Sequence, residues 1–183
     1  MDTVPSPQQQ AAGRPAAGAP PEPPQQFLRL SLGRDAYAVR IDSVREILEV
    51  AQLTPLPLMP DFVRGVMNLR GAVVPVIDLA ARLGLPATVL ARRSCVVMVD
   101  VRPAPDEPAH TLGVLVDAVY EVFSAGAAEQ EPPPRLGTRI DPAFIRSMVR
   151  LRGLPTPELQ LATVLDPAVL AELIAAHQPA PLH

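Results

Sequence analysis

From Phe27 onward, apolar and polar residues alternate in short runs that favour strands over helices. Phe27, Leu28, Leu30 and Leu32 lead into the turn signal Gly33-Arg34-Asp35, after which Tyr37-Ala38-Val39 returns. Val66 to Leu69, a turn at Arg70-Gly71, and Ala72 to Ile77 predict a hairpin. Pro75 in its second strand implies an edge position or a bulge. Cys95 to Val101 and Leu112 to Val116 predict a second strand pair, across a Pro- and acid-rich loop from Arg102 to Thr111. Met148 to Leu151 with Leu159 to Leu165 predicts a last hairpin. Helical spacing is rarer. Asp42 or Ser43 is placed to cap a short helical turn carrying Val44, Ile47 and Leu48, and Ser43-Val44-Arg45-Glu46 matches a capping box. Asp78 opens a short helix that ends at Gly84. Asp166 opens one over about 167–176, with Val169, Leu170, Leu173 and Ile174 as its buried stripe. Proline-rich crossings fall at Pro55 to Pro60 and Glu129 to Gly137. Many short strands and few helices predict a mainly β protein, a barrel or sandwich.

The pattern occurs twice. Phe62 to Gly71 (FVRGVMNLRG) returns as Phe144 to Gly153 (FIRSMVRLRG), identical at five of ten positions. Ala38 to Leu48 returns as Gly113 to Phe123, with Val, Asp, Val and Glu in register, and the stretch from Val73 is echoed from Leu161, aligning Asp78 with Asp166. This duplication predicts two small barrels packed side by side over residues 27–177, because neither half is large enough to bury an adequate core alone. Residues 1–26, with seven Pro, five Gln and five Ala, predict a disordered tail, and 178–183 a flexible terminus.

Composition narrows the chemistry. All 16 cationic residues are Arg, so no P-loop lysine or Schiff-base lysine exists. A net charge of -3 with no long basic cluster argues against a small-barrel nucleic-acid binder, the distant alternative. The single cysteine, Cys95, opens an apolar strand and reads as core. His110 beside Asp106 and Glu107 reads as a solvated loop and not as a metal site. Nothing pairs a nucleophile with a base, so neither catalysis nor a cofactor is expected. The repeated aspartates (Asp42 with Asp117, Asp78 with Asp166) read as caps. With no signal peptide and no long apolar run, a cytoplasmic protein without direct membrane insertion is expected.

The segment Gly65-Val66-Met67-Asn68-Leu69-Arg70-Gly71 is unusual. Asn68 and Gly71 suit a tight turn. On spacing alone, Arg70 reads as a solvated turn arginine. If it met Glu46 beside Val44, Ile47 and Val66, the pair would instead rim an apolar patch, the anatomy of a protein-binding surface.

At these residues the chain resembles the CheW family of chemosensory adaptors, from Phe27 to Ile174. The likeness is strongest over PDFVRGVMNLRGAVVPVIDLAARLGL (Pro60 to Leu85), with support from FLRLSLGRDAYAVRIDSVREIL, LGVLVDAVYEV, the Glu-Pro-Pro-Pro crossing and LATVLDPAVLAEL. The resemblance implies two tandem SH3-like five-stranded β-barrel subdomains with short helices and a C-terminal helix. It implies a non-catalytic adaptor that couples the cytoplasmic tip of methyl-accepting chemoreceptors to the regulatory domain of a CheA-type histidine kinase, peripheral to membrane-bound arrays. Other CheW-like proteins are further implied partners. Receptor-contacting positions carry over to Val44, Glu46, Gly65 and Arg70. The sequence departs from the family pattern in its long Arg102–Thr111 loop, in Ser147 where the second repeat commonly has Gly, and in the Pro/Gln tail. An adaptor of the same family serving twitching, gliding or developmental signalling is the alternative reading.

Overall fold

The computed structural model describes residue 18 and residues 20–177; most of the expected disordered tail and the expected flexible terminus, 178–183, lie outside the described residues. Strands run β1 Gln25–Leu32, β2 Asp35–Arg40, β3 Val44–Glu49, β4 Val63–Leu69 and β5 Ala72–Asp78, followed by helix α1 Leu79–Arg82. Then come β6 Cys95–Val101, β7 His110–Val116, β8 Ala118–Ala125, β9 Gln130–Glu131, β10 Ile145–Leu151 and β11 Leu154–Leu159, and helices α2 Leu161–Val164 and α3 Pro167–His177. Order therefore reaches back to Gln25, two residues before Phe27.

The strands form two sheets, β3-β6-β7-β5-β4 and β8-β1-β2-β11-β10-β9. This is the mainly β, two-barrel arrangement, with one difference from a simple reading of the duplication. Each barrel takes its opening hairpin from the other repeat. β6 and β7 complete the sheet of β3, β4 and β5, and β1 and β2 complete that of β8, β10 and β11. The principal core accordingly runs through both repeats, joining Leu28, Leu30 and Val39 to Ile77, Val97, Val114 and Leu165. Each fully buried side chain of this kind contributes roughly 1.5–3 kcal/mol.

Arg82 marks the seam. Its guanidinium lies 5.0 Å from the Phe144 ring centroid and 6.0 Å from that of Phe62, and its Nε donates to the carbonyl of Val164 at 2.8 Å. Phe62 and Phe144 are repeat equivalents, and Val164 is the equivalent of Arg82 itself. One arginine thus spans the pseudo-twofold relation between the halves.

Several local expectations need correction. Residues 44–49 are strand, not a helical turn. Only Ile41–Ser43 winds, as a 3-10 turn, and neither Asp42 nor Ser43 caps it. A bulge between Val44 and Glu46, where β3 pairs with β6, shifts the side-chain phase, so an i, i+3, i+4 apolar pattern arises on an extended chain. Glu46 bonds to Arg70, not back to Ser43. Asp117 caps no helix; its carboxylate accepts from the Gly33 backbone and ties β8 to the β1–β2 turn.

The last hairpin is β10–β11, ending at Leu159, and the apolar run from Leu161 is helix α2. Gln160, not Asp166, is therefore the equivalent of Asp78: the Asp78 and Gln160 amides donate at 2.7 Å to Phe62 and Phe144 respectively. The prolines at 155 and 157 conceal β11, whose ladder to β2 is the single bridge Glu158–Ala38. Asp78 and Asp166 do cap, accepting from Ala81 and from Ala168 and Val169. Of the stripe expected on α3, Leu170 is buried, whereas Val169 and Leu173 are exposed. Pro75 lies on an interior strand, but its partner Val66 sends both backbone groups to Thr54, so the missing N–H leaves no ladder bond unmade there.

Candidate interaction site on the Arg-Gly hairpin

The β4–β5 loop has two residues, Arg70 and Gly71, at φ 51° and 85°. Positive φ at both matches the type I′ hairpin turn, whose first position favours Asn, Asp or Gly. An L-residue with a long side chain costs about 1 kcal/mol there. Asn68 offsets part of that cost, its Oδ1 accepting from the Gly71 amide at 3.0 Å. Local propensity does not explain Arg70. Its side chain does.

Arg70 reaches from the hairpin tip across the mouth of the curled sheet to the opposite edge strand. Nη1 donates to Glu46 Oε1 at 2.8 Å and Nη2 to Oε2 at 3.0 Å, a fork-to-fork pair. The Arg70 side chain is 74% exposed. The hydrogen bond from Arg70 holds the Glu46 carboxyl below its usual value, and Glu46 raises that of Arg70. Such an exposed pair adds little to folding. It does fix the direction of both groups at the rim of a cavity of about 570 Å³ whose apolar lining is Leu69, Ala72, Val74 and Met98. Beside it, Arg45 pairs with Asp100 at 3.4 Å and donates to Thr111, which in turn donates to Asp100 at 2.7 Å. Exposed Val73 adjoins the tip.

The structure therefore brings together Glu46, Arg70 and the turn residues Asn68 and Gly71. Val44 and Gly65 stand apart. Val44 is half-buried against the main core. Gly65 is buried at the far end of β4, at φ 133°, beside a bulge, and a Cβ there would lie 2.8 Å from the carbonyl carbon of Thr54. It holds the crossing between β3 and β4 against the sheet. Ile47, expected beside Glu46, points to the opposite face. Met98, within the predicted Cys95–Val101 strand, and Val74, within the predicted Ala72–Ile77 strand, carry no sign of this role in the sequence; only the curvature of the sheet, which brings β5 and β6 under the hairpin, exposes their part.

Two small barrels that exchange hairpins thus carry, on the outer surface, a polar clamp over an apolar cavity. The CheW-like domain family model matches residues 26–175. The chain is 31% identical to the chemotaxis protein CheW of Rhizobium meliloti over 129 residues, which is 70% of this chain and 79% of that protein. It is 32% identical to protein FrzA of Myxococcus xanthus over 119 residues, 65% of this chain and 71% of that one. Among solved structures, the scaffolding protein TtCheW from Thermoanaerobacter tengcongensis superposes with a TM-score of 0.69 at 30% identity, covering 77% of this chain and 92% of that chain. The chain belongs to the CheW family. No helix among the described residues is long and apolar enough to cross a membrane.

Proposed function

We propose that the protein is a non-catalytic adaptor that couples chemoreceptors to a CheA-type histidine kinase in a cytoplasmic chemosensory array. The observation that carries this reading is the outward-facing Arg70–Glu46 fork on a strained turn above an apolar cavity. Residues held at positive φ against their propensity concentrate where function needs them. An amphipathic receptor helix would lay its apolar face on Leu69, Val74 and Met98, while the fork selects its polar partners and sets its register. Asn68 and Gly71 serve binding by holding the turn. Gly65 and Val44 act from beneath it, by seating the crossing and the edge strand. The kinase regulatory domain and other CheW-like proteins would engage other parts of the two barrels. The same clamp would suit an array that controls twitching, gliding or development, and the receptor bound tells these apart.

The test is direct titration of purified protein with a receptor hairpin-tip fragment and, separately, with the kinase regulatory domain. Micromolar binding of both is expected, with receptor binding weakened at least tenfold by Arg70→Ala and kinase binding little changed. Failure to bind either partner would overturn the proposal. Unchanged receptor affinity in the variant would remove the clamp from it.

A further inference from the structure

The clamp has a counterpart that the alignment of the repeats did not single out. Arg152 and Gly153 form the β10–β11 turn at φ 52° and 79°, the geometry of Arg70 and Gly71. Arg152 Nη2 donates to Glu121 Oε2 on the edge strand β8 at 3.2 Å, and Glu121 is the repeat equivalent of Glu46. A turn that disfavours arginine has it twice, and each time the side chain crosses to a glutamate on the opposite edge of its own barrel. Beneath Arg152 opens a cavity of about 480 Å³, lined by Tyr37, Ile140, Met148, Leu151 and Leu154. Leu154 at its rim is 69% exposed, and Leu136, between the lining residues Pro134 and Gly137, is 89% exposed.

The charges differ in an informative way. Around the first clamp, arginines and acids pair one to one: Arg70 with Glu46, Arg45 with Asp100. Around the second, Glu121 faces two arginines, Arg29 and Arg152. Arg152 spends one donor on it. Arg29 lies 3.9 Å from it, and Arg29 and Arg93 stack on the neighbouring exposed Tyr120 at 4.8 and 5.0 Å. The other charged pair lining this cavity, Arg139 with Asp35 at 2.8 Å, is self-neutralised. Oε1 of Glu121 is buried with no hydrogen-bond partner, so the cluster is left with unspent cationic donors and a carboxylate oxygen still to be satisfied.

We propose that the second barrel carries a second docking face, for an acidic amphipathic helix that seats its apolar side on Leu151, Leu154 and Met148 and its carboxylates on Arg152 and Arg29. The adaptor is then bivalent, holding two helices of the receptor class through two equivalent hairpins. This rests on the reading of the first hairpin as a helix-docking face.

The experiment is calorimetric titration of the full chain with the receptor hairpin-tip fragment, at low salt and at about 0.5 M salt. Two fragments per chain are expected at low salt. One is expected at high salt, because the cationic face depends more on charge. Arg152→Ala, and independently Leu154→Asp, should each leave one site with an unchanged melting temperature; Arg70→Ala should leave the other; Arg70→Ala with Arg152→Ala should leave none. A wild-type stoichiometry of one that Arg152→Ala and Leu154→Asp leave intact would overturn the second face while sparing the first. Two sites, of which Arg70→Ala removes neither, would overturn the first-hairpin reading instead. Sedimentation of the chain alone completes the test: a dimer abolished by Arg152→Ala would make the occupant another copy of this protein and refute the helix.

Discussion

Replacing Arg82 by Ala tests how the two halves are held together. The guanidinium lies between Phe144 and Phe62 at 5.0 and 6.0 Å, contacts worth about 0.5–1 kcal/mol each at a partly exposed site. Its 2.8 Å bond to the Val164 carbonyl is charge-assisted, and such bonds contribute about 1.5–3 kcal/mol. Against these stands the cost of taking the cation partly out of water, which also pushes its pKa below the ordinary value. The net expectation is a loss of about 2–3 kcal/mol, or a fall of roughly 5–10 °C in melting temperature for a domain of this size. Thermal unfolding followed by circular dichroism measures it. Arg82→Met, which keeps the apolar stem between the rings and loses the bond, should recover about half. Because each barrel is completed by strands from the other repeat, the variant should unfold in one transition. A shift below about 2 °C, or two resolved transitions, would refute the assignment of the seam to this residue.

Two further outcomes follow from the first clamp and its support. Gly65→Ala should lower the melting temperature and weaken receptor-fragment binding together, since the new Cβ collides with Thr54 and the φ of 133° is strained for any L side chain; a stable variant that loses binding alone would instead make Gly65 a direct contact. Glu46 titrates below the ordinary carboxylate range, so the fork is complete above that range and is lost only as the pH falls through the lowered folded value. Receptor affinity should therefore be level from about pH 8 to pH 5 and fall below about pH 4, and a decline already evident near pH 6 would show that another group controls it.

The β4–β5 hairpin, its Arg-Gly tip and the strand pair β6–β7 were legible because alternation, turn chemistry and length agree there. The short strand β3 was not. Its bulge gives Val44, Ile47 and Leu48 a helical spacing, and the capping pattern at Ser43 strengthened the error. Strand β11 was hidden by Pro155 and Pro157, and the apolar run after it drew the repeat out of register, aligning Asp78 with Asp166 when Gln160 is the true partner. The exchange of hairpins left no mark in the sequence, because strands with the same apolar pattern fit either barrel. The meeting of Arg70 with Glu46 was stated only as a condition. Both members of the second pair, Arg152 and Glu121, stood aligned with Arg70 and Glu46 in the repeats, but only the curvature of the sheet brings them together.

The exchange of hairpins also constrains how this chain comes into being. Among the described strands β1 and β2 are made first, yet the strands they join, β8 and β11, come only in the second half of the chain. Through most of synthesis their apolar faces, with Phe27, Leu28, Leu30 and Val39, have no barrel to enter, and β6 and β7 are at hand to complete the other barrel before the first two strands are housed. An early hairpin that waits with its hydrophobic side uncovered is a substrate for chaperones, and on a crowded polysome it can just as well complete the barrel of a neighbouring chain. Full burial of the first two strands therefore waits for β11, the last strand made.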